Sequence, residues 1–309
     1  MTARLRDTAL AALVSCLAAC AAAPSPGAPT PTGPTPPAAT PTTALRGVPG
    51  FDTRVYPGDS VLKAWRSASP YRWVGYYLPA PCHTDSTWLG RRAALAAMGW
   101  GTAIVFTGEQ DWGAAARVTG PAARAAASAG TSPAPPPSAV AVSPPIAAAT
   151  SGAAAHCTSA NLTAEHGAAD AALADSLAAA EGFPAASTIF LDVERVDSVS
   201  TPLATYVRAW IGALLERGRY RAGVYAHARN ADSLHALQQA EYARHSTAGA
   251  PRFWVSGGAG TFELAAAPAE SALPFATIWQ GAADVRQSWA GVTLRIDVNV
   301  AERASPSAP

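Results

Sequence analysis

The chain has 309 residues, 22 basic and 21 acidic side chains, and a formal net charge of +1. Charged residues are only 14% and apolar residues 49%, so a large core is possible, and the near-zero balance argues against the dense basic patch that neutralises nucleic-acid phosphates. Lys63 is the only lysine, which excludes a lysine-dependent phosphate loop or Schiff-base site elsewhere.

In chain order, Arg4 and Arg6 precede an apolar run from about Thr8 to Ala19. At about 1.5 Å per residue it reaches roughly half of a 30 Å bilayer core, so it reads as a signal-peptide core and not as a spanning helix. It ends Leu17-Ala18-Ala19-Cys20, which resembles a bacterial lipobox. Residues 1–19 are then a lipoprotein signal, and acylated Cys20 anchors an exported protein to a cell membrane or outer membrane. The earlier Leu13-Val14-Ser15-Cys16 also fits the loose pattern but leaves a very short run; plain secretion is the alternative. Residues 20–45 are Pro, Thr and Ala with almost no charge, an extended tether that cannot bury enough surface to offset its ordering. A stretch from about 114 to 160 has similar character and reads as a surface insertion. Residues 302–309 read as a disordered tail.

The remainder, within 46–301, alternates strand and helix. Predicted strands are Val48–Thr53, Trp73–Leu78, Ala103–Thr107, Thr188–Glu194, Ala222–His227, Arg252–Ser256, Ala276–Gln280 and Leu294–Val300. Predicted helices are Ser60–Ser67, Ser86–Met98, Ala164–Ala180, Pro202–Arg217 and Asp232–Arg244. Such alternation implies an α/β fold with parallel strands and crossover helices. Eight strands imply a TIM-type (β/α) barrel, with chemistry at the C-terminal strand ends. The connections among the last three strands are too short for full helices, so an incomplete helical ring is expected.

Three strands carry acids. The first ends in Asp52, the fourth in Asp192 and Glu194, and the last contains Asp297. Residues two apart share a strand face, so Asp192 and Glu194 point the same way. Crowded, buried carboxylates raise one another's pKa, which lets one stay protonated near neutrality and donate to a glycosidic oxygen. The bland alternative is that the pair caps the next helix or binds Arg195 and Arg208. Asp52 and Asp297, on strands adjacent in a closed barrel, weigh against three unrelated caps.

Gly50-Phe51-Asp52-Thr53, Trp73-Val74-Gly75-Tyr76-Tyr77, Phe190-Leu191-Asp192-Val193-Glu194 and Gly223-Val224-Tyr225 together resemble the bacterial domain of unknown function 1906. That family is also called the glycoside-hydrolase-like domain and is related to the family 25 lysozymes. The resemblance runs from about Gly47 to Ala301 without the insertion. It implies a barrel of five βα units and three further strands. It also implies Glu194 as general acid, Asp192 as the stabiliser of an oxocarbenium-like state or the partner of a substrate acetamido group, and Asp52 and Asp297 as further acids of the site.

Sugar rings stack on aromatic faces. Tyr76, Tyr77, Trp112, Trp254 and Trp279 lie at or near predicted strand ends, although core packing is the competing role for each. Glu109 and Gln110, Tyr225, His227 and Gln280 complete the expected substrate-binding set. Cys82 and Cys157 fall on loops of an exported domain, which favours a disulfide. Zinc through Cys82-His83 and His156-Cys157 is the competing reading, but those pairs lack the usual ligand spacing. No metal or other cofactor is expected. The expected function is hydrolysis of a cell-wall glycan of the peptidoglycan type; the alternatives are a glycan-binding envelope module without turnover, or an enzyme on another exported carbohydrate.

Overall fold

The computed structural model describes residues 47–111, 157–245 and 249–309. The signal run, Cys20, the tether, Trp112, His156 and most of the insertion lie outside the described residues.

Eight strands close into one barrel in chain order. They are β1 (Val48–Asp52), β2 (Trp73–Leu78), β3 (Gly101–Thr107), β4 (Thr188–Val193), β5 (Arg221–His227), β6 (Phe253–Ser256), β7 (Ala276–Trp289) and β8 (Val292–Ala301). Among the described residues, five α-helices accompany them: α1 (Asp59–Ala68), α2 (Arg92–Ala97), α3 (Ala164–Ala180), α4 (Thr201–Arg217) and α5 (Ala228–Arg244). This is the TIM-type barrel with an incomplete helical ring that the sequence predicts. A single 3-10 turn, Pro268–Ser271, takes the place of a helix between β6 and β7.

Local sequence explains the best-formed helices. Ser200 accepts a hydrogen bond from the Leu203 amide, Pro202 sits in the first turn, and Gly218 closes α4 in the left-handed region at φ 70°. Thr163 caps α3 in the same way through the His166 amide. The predicted helix 86–98 shortens to α2, because the chain passes through φ +76° at Gly90 before it can begin. By contrast, α5 starts four residues before its predicted Asp232, because His227 caps it.

One strand departs from the parallel expectation. β8 is antiparallel to both β7 and β1. A two-residue turn at Ala290 and Gly291, with φ values of 49° and 76°, joins β7 to β8, and so short a link permits only an antiparallel return. Both strands run well past their predicted bounds and form a hairpin. The hairpin packs against α1 and the loop after it: the Trp65 indole of α1 donates to the Val292 carbonyl at 3.2 Å, and the Tyr71 hydroxyl of the loop donates to Gln287 at 2.7 Å. It thus covers apolar surface that a further helix would otherwise shield.

The tail expectation fails. Residues 302–309 pack beneath the barrel, and Ser307 is buried. The Ser307 amide donates to the Thr102 carbonyl at 3.0 Å, and its carbonyl accepts from the Thr188 amide at 2.8 Å. Its Oγ accepts from the Ile104 amide at 2.7 Å. The small Ala, Ser and Pro side chains that suggest disorder also let the backbone come close. Gly101 shows how close: a Cβ there would sit 1.7 Å from the Ala304 carbonyl oxygen.

Candidate active site

The upper mouth of the barrel holds a groove of about 580 Å³ lined by Asp52, Asp192, Glu194 and Asp297. Each acid is placed by its strand. Asp52 of β1 is directly paired with Asp297 of β8. Asp192 ends an inward-facing row of β4, and Glu194 follows it on the same face. Tyr77, Tyr225 and Trp254 line the groove beside them.

The hydrogen bonds around the acids are directional. Asp52 accepts from the Tyr77 hydroxyl at 2.6 Å and from the Asn299 amide group at 2.8 Å. Asn299 accepts in turn from the Trp254 indole at 3.0 Å, so its orientation is set from both ends. Asp192 accepts from the Thr107 hydroxyl at 2.9 Å through Oδ2. Its buried Oδ1 has no partner among the described residues. Asp297 accepts from the Asp284 amide at 2.6 Å. Asp284 sits at φ 59° inside a bulge of the β7–β8 ladder, the kind of irregularity that re-aims a group beside a site.

Burial raises all four carboxyl groups. Glu194 is pushed from 4.5 up to about 8, first by burial and then by the Asp192 charge. Asp192 rises from 3.8 to about 6 through burial, opposed by Arg54 and the Thr107 hydroxyl. Burial and then the Asp297 charge hold Asp52 well above the usual carboxylate range, against the Tyr77 and Asn299 hydrogen bonds. Burial also raises Asp297, opposed by the Asp284 amide and Gln280. Near neutrality, Glu194 is therefore mostly protonated beside a mostly ionised Asp192, the pairing that acid catalysis requires.

These shifts have a stability consequence. A carboxyl whose folded pKa is raised binds more protons folded than unfolded, so stability falls as pH rises from about 4 to about 8. Glu194→Gln should remove the upper part of that fall. At pH 8 it should be more stable than the wild type by about 1–3 kcal/mol, with solvent on the open side of the groove discounted. Thermal unfolding of both proteins at pH 5 and pH 8 checks this. Parallel pH dependences would rule it out.

The other predicted residues divide. Tyr225 lines the groove. Trp254 borders it but is a correction, since its ring is buried in the barrel core against Trp73 and Phe190, the competing role. Gln280 lies behind it, buried, and accepts from the Tyr225 hydroxyl at 2.6 Å. Tyr76 is a correction. It faces the helix layer, packs on Trp88 and Phe183, and its hydroxyl donates to Glu181. Tyr77, one residue later, is the inward tyrosine. Trp279 likewise faces outward and donates to the Gly257 carbonyl.

Glu109 and Gln110 are also corrected, since both are buried away from the groove. Glu109 accepts from the Thr158 amide at 2.8 Å and Asn161 Nδ2 at 2.9 Å, which fastens the segment after the insertion. Gln110 donates to the Asp192 carbonyl at 2.8 Å and accepts from the Glu194 amide at 3.0 Å. It holds the backbone of the acid pair and leaves substrate to other groups. His227 is the cap of α5, its Nδ1 accepting from the Arg229 amide at 3.1 Å, and it does not line the groove.

Cys82 and Cys157 form the expected disulfide, with Cα atoms 4.9 Å apart. The competing zinc reading therefore fails for these two sulfurs. Arg54, Asn299, and the Asp284–Arg295 ion pair are site features the sequence reading missed. Arg54 follows Asp52 by two residues, and that proximity was the available signal. No helix among the described residues is long and apolar enough to cross a membrane.

The chain is similar to several solved structures. The Tat-secreted protein Rv2525c of Mycobacterium tuberculosis, in complex with HEPES, is 16% identical over 86% of this chain and 98% of that one, with a TM-score of 0.45. The spore cortex lytic enzyme SleM of Clostridium perfringens is 10% identical over 86% of this chain and 70% of that one, with a TM-score of 0.48. The modular autolysin LytC of Streptococcus pneumoniae is 12% identical over 82% of this chain and 46% of that one, with a TM-score of 0.46. No curated protein matches the chain. The family model described as the Rv2525c-like, glycoside hydrolase-like domain matches residues 63–301, and the chain belongs to that family.

Proposed function

We propose that this protein hydrolyses a β-linked glycan of the cell envelope, of the peptidoglycan type, as an exported protein held to a membrane by lipidated Cys20. One observation carries the catalytic part: Glu194, raised to about 8, lies beside Asp192, raised to about 6, in an open groove. Glu194 donates its proton to the leaving glycosidic oxygen as the bond from the anomeric carbon breaks. Asp192 stabilises the positive charge that develops there, or orients the acetamido group that does so, and its unpartnered Oδ1 is available for that contact. Water adds to the anomeric carbon, and its proton restores Glu194. Tyr225 supplies ring surface for an apolar face of the sugar. The low-complexity stretch 20–45 holds the domain away from the bilayer.

Incubation with purified peptidoglycan tests the reading. Soluble fragments with new reducing ends should appear, and the protein should co-sediment with the insoluble wall. Co-sedimentation without new reducing ends would replace the hydrolase with a binding module. Mass spectrometry of the membrane-derived protein should find a diacylglyceryl group on Cys20; an unmodified Cys20 there would remove the anchor.

A further inference from the structure

Five carboxylates and two guanidinium groups line the groove. Arg295 is bound to Asp284 in an ion pair. Among the described groove-lining residues, Arg54 is therefore the countercharge left for Asp192, Glu194 and Asp297. Its guanidinium is half-buried, and Nη2 donates to the Cys82 carbonyl at 3.1 Å. No carboxylate oxygen of the described residues lies within the 4.0 Å of an ion pair with it. A backbone carbonyl on a neighbouring loop holds it, and it acts on the acids through space.

That carbonyl belongs to a residue fixed on two more sides. Cys82 is bonded to Cys157 across 75 positions of sequence. The Cys82 amide donates to the Thr107 carbonyl at 3.2 Å, and the Thr107 hydroxyl donates to Asp192. The two peptide groups of Cys82 thus reach the cation directly and the Asp192 anion through Thr107.

We propose that Arg54 is a positioning residue for the acid pair: the Cys82–Cys157 bridge places the Cys82 carbonyl, the carbonyl places the guanidinium, and the guanidinium sets the charge state of Asp192 and Glu194. The proposal deepens the reading of Glu194 as proton donor and rests on it. A guanidinium does not lose its proton in the working range, so it is a constant countercharge. It opposes the rise that burial imposes on Asp192, Glu194 and Asp297 alike. The groups that share the groove with it are Asp52 of β1, Tyr77 of β2, Asp192 of β4 and Glu194 just beyond that strand, and the loop after β2 adds His83, on which Asp85 also acts. Tyr225 of β5 and Asp297 of β8, with the Asp284–Arg295 pair, close the set. Of these, His83 is lowered to about 4, first by burial and then by the same cation, so it stays neutral while the acids titrate.

Carboxyl carbon NMR of the folded protein, labelled at Asp and Glu, tests this without requiring turnover. The Glu194 signal is assigned by its loss in Glu194→Gln. In Arg54→Gln the Glu194 midpoint should move up by about one pH unit, as expected for removal of one charge at this range. Arg54→Lys should stay near the wild type. Cys82→Ala with Cys157→Ala should move the midpoint the same way by less, and adding Arg54→Gln should give no more than Arg54→Gln alone. If the cysteine variant does not fold, the wild-type protein held in reductant reads the same shift. An unmoved midpoint in Arg54→Gln overturns the proposal. A cysteine variant that melts earlier with an unmoved midpoint overturns the part played by the bridge. Peptidoglycan turnover, measured in parallel, keeps the two readings apart: a moved midpoint with no hydrolysis by the wild type sinks the hydrolase and leaves the role of Arg54 in setting charge intact.

Discussion

Glu194→Gln should lower peptidoglycan turnover about 10³-fold, in the middle of the range that a positioned proton donor contributes. The amide keeps the shape of the side chain and its place in the groove but cannot release a proton to a leaving oxygen. Co-sedimentation with the wall should hold within about threefold, because ring contacts and backbone positions do not change. The wild-type alkaline limb should fall near pH 8, where Glu194 loses its proton, and the acid limb near pH 6, where Asp192 gains one. The measurement is the release of reducing ends across pH 5–9 for both proteins. Undiminished release by the variant would mean that another group donates the proton.

The second large effect concerns the underside of the barrel. Removal of residues 302–309 should destabilise the domain by about 3 kcal/mol, the sum expected for several net hydrogen bonds of about 0.5–1.5 kcal/mol each. The lost bonds include those of Ser307 to Thr102, Ile104 and Thr188, and two from Arg252 Nη1 to the Pro306 and Ala308 carbonyls, both at 2.6 Å. For a domain of this size the melting midpoint should drop by roughly 6–12 °C. Ser307→Ala loses only the hydroxyl contact and should cost about 1 kcal/mol. A truncated domain that melts with the full chain would show that the segment merely rests on the barrel.

Much of the site was legible because acids at the ends of apolar strands are conspicuous. Asp52, Asp192, Glu194 and Asp297 share one groove, as their strand positions implied. Parity was less legible on β2. All six of its residues are buried, so neither face is polar, and the pattern cannot say whether Tyr76 or Tyr77 points inward. Glu109 and Gln110 were placed at the correct rim with the wrong task. Their partners, at Thr158, Asn161, Asp192 and Glu194, are far along the chain. The contact between Asn299 and Asp52 spans 247 positions, and nothing near either residue signals it.

The alternation of apolar strands and capped helices was enough to specify a closed α/β barrel and the residues that carry its acids, because those features depend on local periodicity and on neighbouring chemistry. The antiparallel return of β8, the packed underside and the raised proton affinity of Glu194 arise when distant segments meet. Burial and opposing charge set a carboxyl's affinity for its proton, and both are properties of what surrounds it in space.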